Sequence, residues 1–177
     1  MAGEIILITG IMAAGKSSVA QALAEQLPLS VHLRGDVFRK MIVNGRADIS
    51  PENWDEAQSQ LHLRYRLAAG AATTYSAAGF SVVYQDVILG QDLPQVIDLL
   101  QPSNVPVSAV VLAPQPAVVA TRDRDRAKTG YGAWTAEELD TGLRDETPKI
   151  GLWLDTSHQT ITETVDEILA RRAEARV

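Results

Sequence analysis

Short apolar, β-branched runs alternate along this chain with stretches whose apolar residues recur at helical spacing. That alternation predicts a parallel sheet covered by helices on both faces, because each strand returns to the sheet through a helical crossover. Strands are expected near 5–9, 30–34, 80–85, 107–112 and 152–155. The first helix, from Lys16 to about Gln26, carries Val19, Ala20, Leu23 and Leu27 on one stripe and stops before Pro28. A short helix is expected over about 37–44. Ser50-Pro51 reads as an N-cap followed by proline at the first helical position, opening a long helix that ends near Ala78-Gly79. Further helices fit 92–100, 115–127 and 136–145, the last headed by the capping box Thr135-Ala136-Glu137-Glu138. A second box, Thr160-Ile161-Thr162-Glu163, opens the final helix. No internal repeat, low-complexity tract or long linker interrupts the pattern, so residues 1–177 are expected to form one domain.

Composition narrows the function classes. A chain of 177 residues suits a single sizeable core, and a hydrophobic content of 46% is ordinary for a globular protein. No apolar run approaches the length needed to cross a bilayer, and residues 1–4 are too short to head a signal peptide, so a cytoplasmic location is expected. The absence of cysteine excludes disulfides, thiolate catalysis and Cys-ligated metals. A formal net charge of −6 provides no footprint for nucleic acid, which favours small-molecule substrates. His32, His62 and His158 are too scattered to suggest a metal site.

One motif carries specific chemistry. Gly10-Ile11-Met12-Ala13-Ala14-Gly15-Lys16-Ser17 matches G-x-x-x-x-G-K-[ST] and directly follows the apolar run Ile5-Ile6-Leu7-Ile8. In that context the glycines let backbone N–H groups, including those of Ala13, Ala14 and Ser18, point at phosphate oxygens. Lys16 reaches the β- and γ-phosphates, and the Ser17 hydroxyl ligates Mg²⁺. The expected ligands are therefore a nucleotide's phosphates and Mg²⁺.

In an open parallel sheet, ligands bind beyond the carboxyl ends of the strands. The second strand delivers Gly35-Asp36-Val37-Phe38-Arg39 to that edge. Asp36 can orient an acceptor hydroxyl and take its proton, or it can merely cap the following helix. Asp86, at the end of the third strand, is a candidate for holding a water on Mg²⁺ or for contacting substrate, with a simple turn residue as the alternative. The run Thr121-Arg122-Asp123-Arg124-Asp125-Arg126-Ala127-Lys128 reads as a solvated helix face or as a lid over about 122–134. Arg122 and Arg126, four residues apart on one face, are then the arginines aimed at the transferring phosphoryl group, with Arg124 exposed. Asp155-Thr156-Ser157, after the last strand, can frame the adenine or simply feed the terminal helix.

With these residues in view, the chain resembles the small P-loop kinases that include gluconate kinase-like proteins, chloramphenicol phosphotransferase and the zeta toxins. The resemblance rests on Gly10 to Ser17, Gly35 to Arg39, Arg122 to Arg126 and Asp155 to Ser157, and it spans nearly the whole chain. It implies a P-loop NTPase fold of the nucleotide-kinase type, a five-stranded parallel core with a small arginine lid, ATP as phosphate donor, Mg²⁺, and Asp36 as catalytic base. It does not select an acceptor. No Asn-Lys-x-Asp or Leu-Ser-Gly-Gly sequence occurs, which disfavours GTPases and transporter ATPases. The acceptor region, roughly 39–75, mixes Arg39, Arg46, Arg64 and Arg66, suited to an anion, with Met41, Trp54 and Tyr65, suited to an apolar antibiotic-like molecule. Arg39 and Arg64 are the arginines favoured for substrate. The expected activity is transfer of the γ-phosphate of ATP to a small-molecule hydroxyl, by a monomer or homodimer without nucleic-acid or membrane partners. An antibiotic O-phosphotransferase and a non-catalytic ATP-binding regulatory module are the alternatives.

Overall fold

A computed structural model of the chain describes residues 3–48, 50–124 and 135–177. Five strands, β1 (Ile5–Thr9), β2 (Ser30–Arg34), β3 (Ser81–Gln85), β4 (Val107–Leu112) and β5 (Leu152–Leu154), form one all-parallel sheet in the order β2-β3-β1-β4-β5. Every residue of β1 and β4 is buried, as expected of unbroken apolar strands enclosed on both faces. Helix α1 (Lys16–Gln26) packs with α7 (Ile161–Ala170), and α3 (Trp54–Ala77) packs with α4 (Asp92–Leu100), giving a helical layer on each face. The register Ile8↔Gln85 and Arg34↔Gln85 brings the carboxyl ends of β1, β3 and β2 level, so their exit loops meet at one edge.

The strands lie where the apolar runs predicted them, whereas several helix bounds differ. The second helix, α2, is only Asp36–Lys40. Beyond it the chain has no apolar face to bury, with Val43 90% exposed and Gly45 at φ 78, and the loop is held instead by Gln60. That amide donates to Gly45 O at 2.8 Å and accepts from Ala47 N at 3.0 Å. Ser50 makes no side-chain cap, and Pro51–Asn53 form a single 3₁₀ turn before α3 begins at Trp54. Helix α5 (Pro116–Arg124) follows β4, and the rest of its expected span lies outside the described residues. Both capping boxes form, at Thr135 before α6 (Ala136–Thr141) and at Thr160 before α7. After α6 the chain widens into a π turn over Gly142–Glu146, which places Leu143 in the core and directs Arg144 to Asp140 and to the carbonyls of Ala113 and Pro114. The end of the chain adds an antiparallel contact to β4, with Ala109 N donating to Ala175 O at 2.8 Å.

Thr9 ties two exit loops together. Its buried hydroxyl donates to Ile88 O at 2.8 Å and accepts from Ile88 N at 2.9 Å, joining the end of β1 to the turn after β3. Thr9→Val preserves shape but strands both Ile88 backbone groups. Urea denaturation should show a loss of about 2–3 kcal/mol with an unchanged m-value.

Candidate active site

The chain between β1 and α1 forms one wall of a cavity. Gly10 takes φ 148, and a Cβ there would stand 2.4 Å from Leu112 O, so this position admits only glycine without rearrangement. Ala13 is held in the left-handed region at φ 61, a conformation that costs a non-glycine residue about 1–2 kcal/mol and recurs where backbone is shaped for a ligand. Gly15, also left-handed, occupies the N-cap of α1 without a side-chain cap, leaving the first-turn N–H groups of the helix directed at the loop. Lys16 is buried, with Nζ donating to Ile11 O at 2.7 Å, while Ser17 and Ser18 are exposed at the mouth.

These residues form one end of a cavity of about 690 Å³, lined also by Met12, Arg34, Asp36, Lys40, Arg64, Gln85, Asp86, Val87 and Arg122. Another wall of the cavity is built on Asp86, which follows β3 beside the end of β1. Its carboxylate is almost fully buried and accepts from Arg64 Nη2 at 2.7 Å and from Val87 N at 2.8 Å. Tyr84 Oη lies 3.5 Å from Oδ2. Gly35 rests directly against this carboxylate, since a Cβ there would fall 1.9 Å from Asp86 Oδ2. The missing side chain lets the β2–α2 turn settle on Asp86 and sets Asp36 at the cavity wall. Asp36 does not cap α2: it is the first helical residue, the N-cap is Gly35, and its carboxylate pairs with Lys40 one turn on.

Arg122 approaches from the β4–β5 side, donating to Thr156 O at 3.1 Å and lining the cavity beside Gly15. Arg124 is exposed, as anticipated, and Arg126 lies outside the described residues with the remainder of the expected lid. Arg39 does not reach the main cavity. It pairs with Asp48 beside a separate hollow of about 50 Å³ that Arg64 also borders. Asp155 and Ser157 are occupied locally: Asp155 accepts from Ser157 N and from Gln115 Nε2, and Ser157 Oγ accepts from Gln115 N at 2.7 Å. The Ser157 hydrogen bonds hold the Asp155 carboxyl below its usual range. These bonds fasten the β4 and β5 exits together, and Thr156 contributes its carbonyl to Arg122. Cavity residues not singled out from sequence are Met12, Arg34, Lys40, Gln85 and Val87. A signal existed for two of them, since Arg34 immediately precedes Gly35-Asp36 and Lys40 stands at i+4 from Asp36.

The donor set suits Mg²⁺ rather than a metal caged by protein. No group of three or more His, Cys, Asp or Glu side chains able to hold a metal occurs among the described residues. A magnesium ion keeps several waters and takes its charge partners from bound phosphates. Ser17 offers a hydroxyl beside the loop. Both oxygens of Asp86 already face protein groups, so its contribution would come through a water.

A family model described as an AAA domain matches residues 5–148, which include the loop, the Asp36 turn, Asp86 and Arg122. The chain belongs to the AAA domain family. Among solved structures, this AAA domain chain is similar over 99% of its length and 98% of the other to the tunicamycin resistance protein of Deinococcus radiodurans, with 18% identity and a TM-score of 0.72. The APS kinase of Mycobacterium tuberculosis, solved with AMPPNP and APS, matches over 96% of each chain with 20% identity and a TM-score of 0.72. A gluconokinase from Sinorhizobium meliloti matches over 98% of this chain and 94% of that one, with 23% identity and a TM-score of 0.61. These likenesses establish the P-loop kinase fold, the one that the sequence resembles. A UPF0200 protein of Aeropyrum pernix is 37% identical over 67 residues, covering 38% of this chain and 36% of that protein. No helix among the described residues is long and apolar enough to cross a membrane.

Burial pushes the Asp86 carboxyl up to about 6, and the Asp36 charge adds to the rise, while Arg64, the Val87 N–H and Lys16 oppose it. Tyr65 and Tyr84, also raised by burial, remain neutral neighbours. The folded protein thus keeps a proton that the unfolded chain releases, and this group's contribution to stability declines as pH rises from about 4 to about 6. In metal-free buffer, the stability of wild type relative to Asp86→Asn should fall across that window by on the order of 3 kcal/mol. A difference that stays flat with pH contradicts the assignment.

Proposed function

We propose that this AAA domain protein is an ATP-dependent small-molecule kinase that transfers the γ-phosphate of ATP to an acceptor hydroxyl. The observation that carries this reading is the shared cavity, which is lined both by the phosphate loop with Lys16 and Arg122 and by the Asp36 carboxylate. A nucleotide sensor needs the first set alone. The second offers what transfer to an acceptor requires, a carboxylate in the same cavity as the phosphate loop.

Lys16 and the loop N–H groups hold the β- and γ-phosphates, and Ser17, with Asp86 through water, holds Mg²⁺, whose charge draws electron density from the phosphate oxygens when it is bound. Asp36 accepts the proton of the acceptor hydroxyl as its oxygen bonds to the γ-phosphorus. The bond from that phosphorus to the β,γ-bridging oxygen breaks, and ADP leaves with the electron pair. Arg122 offers its guanidinium to the charge that develops on the phosphoryl oxygens.

Asp36→Asn keeps the size of the side chain and removes the proton acceptor. Since Asp36 contributes no cap, melting should barely change, while acceptor-dependent transfer should drop by roughly 10²- to 10⁴-fold. Parallel measurement of melting and of phosphorylated product checks both. Near-wild-type transfer by this variant would remove Asp36 from the base role.

A further inference from the structure

The acceptor end of the cavity holds more positive charge than its own carboxylates match. Among the described residues, five cations and two carboxylates line the cavity, in a chain of net charge −6. Lys16 and Arg122 belong to the phosphate end. At the acceptor end Asp36 is paired with Lys40 and Asp86 with Arg64. Arg34 is left over: at the last residue of β2, exposed on the cavity wall, its side chain makes no hydrogen bond or ion pair with any described residue.

An exposed arginine at a strand end is ordinarily just solvated. This one borders a concave site two residues before Asp36, and the remaining lining sharpens its meaning. The aromatic residues that would favour an apolar acceptor are elsewhere, because Tyr65 is buried in the core with its hydroxyl on Val87 O, and Trp54 lies outside the cavity. Among the described residues, apart from Met12 and Ala13 of the phosphate loop, Val87 is the apolar side chain that lines the cavity. A pocket for an apolar molecule is lined predominantly by apolar and aromatic side chains.

We propose that the acceptor is a small hydroxyl compound that also carries an anionic group, a carboxylate, sulfate or phosphate, and that Arg34 pairs with this anion while Asp36 faces the hydroxyl. This rests on the phosphotransfer reading. The guanidinium fork suits any of these anions, since it donates two parallel hydrogen bonds to paired oxygens. The Cα atoms of Arg34 and Asp36 are at most about 7 Å apart, so one compact molecule can meet both side chains.

Two measurements test the proposal separately from the kinase reading. Protein saturated with AMPPNP, so that the phosphate loop is filled, is titrated by calorimetry with sodium sulfate and with sodium acetate, which separate a tetrahedral oxyanion from a carboxylate. One of them should bind at a single site, and Arg34→Gln should weaken it at least about tenfold without altering AMPPNP affinity. Equal affinity in wild type and variant overturns the proposal whatever the activity of the protein. The second measurement compares phosphorylation of paired compounds, a sugar acid with its sugar alcohol and a nucleoside monophosphate with its nucleoside. The anionic member should be preferred at least about tenfold in kcat/KM, with Arg34→Gln raising KM for that member only and Arg34→Lys restoring part of the loss. Preference for the neutral member overturns the anion assignment and leaves phosphotransfer standing. Turnover of neither member counts against the phosphotransfer reading, and the titration still decides the role of Arg34.

Discussion

Burying the Asp86 carboxylate at the end of β3 imposes conditions that shape half of the cavity. A buried charge must be paired and hydrogen-bonded, and here Arg64 reaches across from α3 while the Val87 N–H supplies a second donor. Gly35 must lack a side chain to pack against the carboxylate, which draws the β2–α2 turn down onto β3. Asp36 and Arg34 flank that glycine, so both face the cavity as a result of this contact. Removing Arg64 would leave an uncompensated buried charge, and adding a Cβ at Gly35 would push the turn away. The position of Asp36 thus depends on an ion pair that it does not itself join.

The phosphate end follows a different logic, one of backbone. Left-handed Ala13 and Gly15, and a Gly10 with no room for a Cβ, turn the chain so that α1 begins at the loop without a side-chain cap. Thr9 holds the same strand end to Ile88, behind Asp86, and so couples the two ends through one buried hydroxyl. The two halves are therefore set by neighbouring strands of one sheet, and the space between them is the place where a phosphoryl group would cross.

What was legible in the sequence was what is local. Strands β1 and β4 could be read because enclosed strands leave largely apolar runs, and the loop because its chemistry sits within eight residues. The two capping boxes likewise involve residues three apart. Less legible was anything decided by distant partners. The early end of α2 depends on Gln60 holding the following loop, and the Asp86–Arg64 pair joins residues 22 apart. Arg39 looked as suitable for substrate as Arg64, yet Asp48 draws it to a different hollow. Arg34 attracted no attention because a single arginine at a strand end carries no pattern, and its significance appears only when every other cation in the cavity has a partner or a phosphate to meet.

The central claim is that one cavity brings a nucleotide γ-phosphate within reach of the Asp36 carboxylate. A crystal structure of the protein with AMPPNP and Mg²⁺ tests it most directly. The account predicts that Lys16 Nζ exchanges Ile11 O for the β- and γ-phosphate oxygens. It also predicts a γ-phosphorus within about 6 Å of an Asp36 carboxylate oxygen, a span that one acceptor hydroxyl bridges. A nucleotide bound outside this loop, or a γ-phosphate directed away from Asp36 with protein filling the space between, would contradict it.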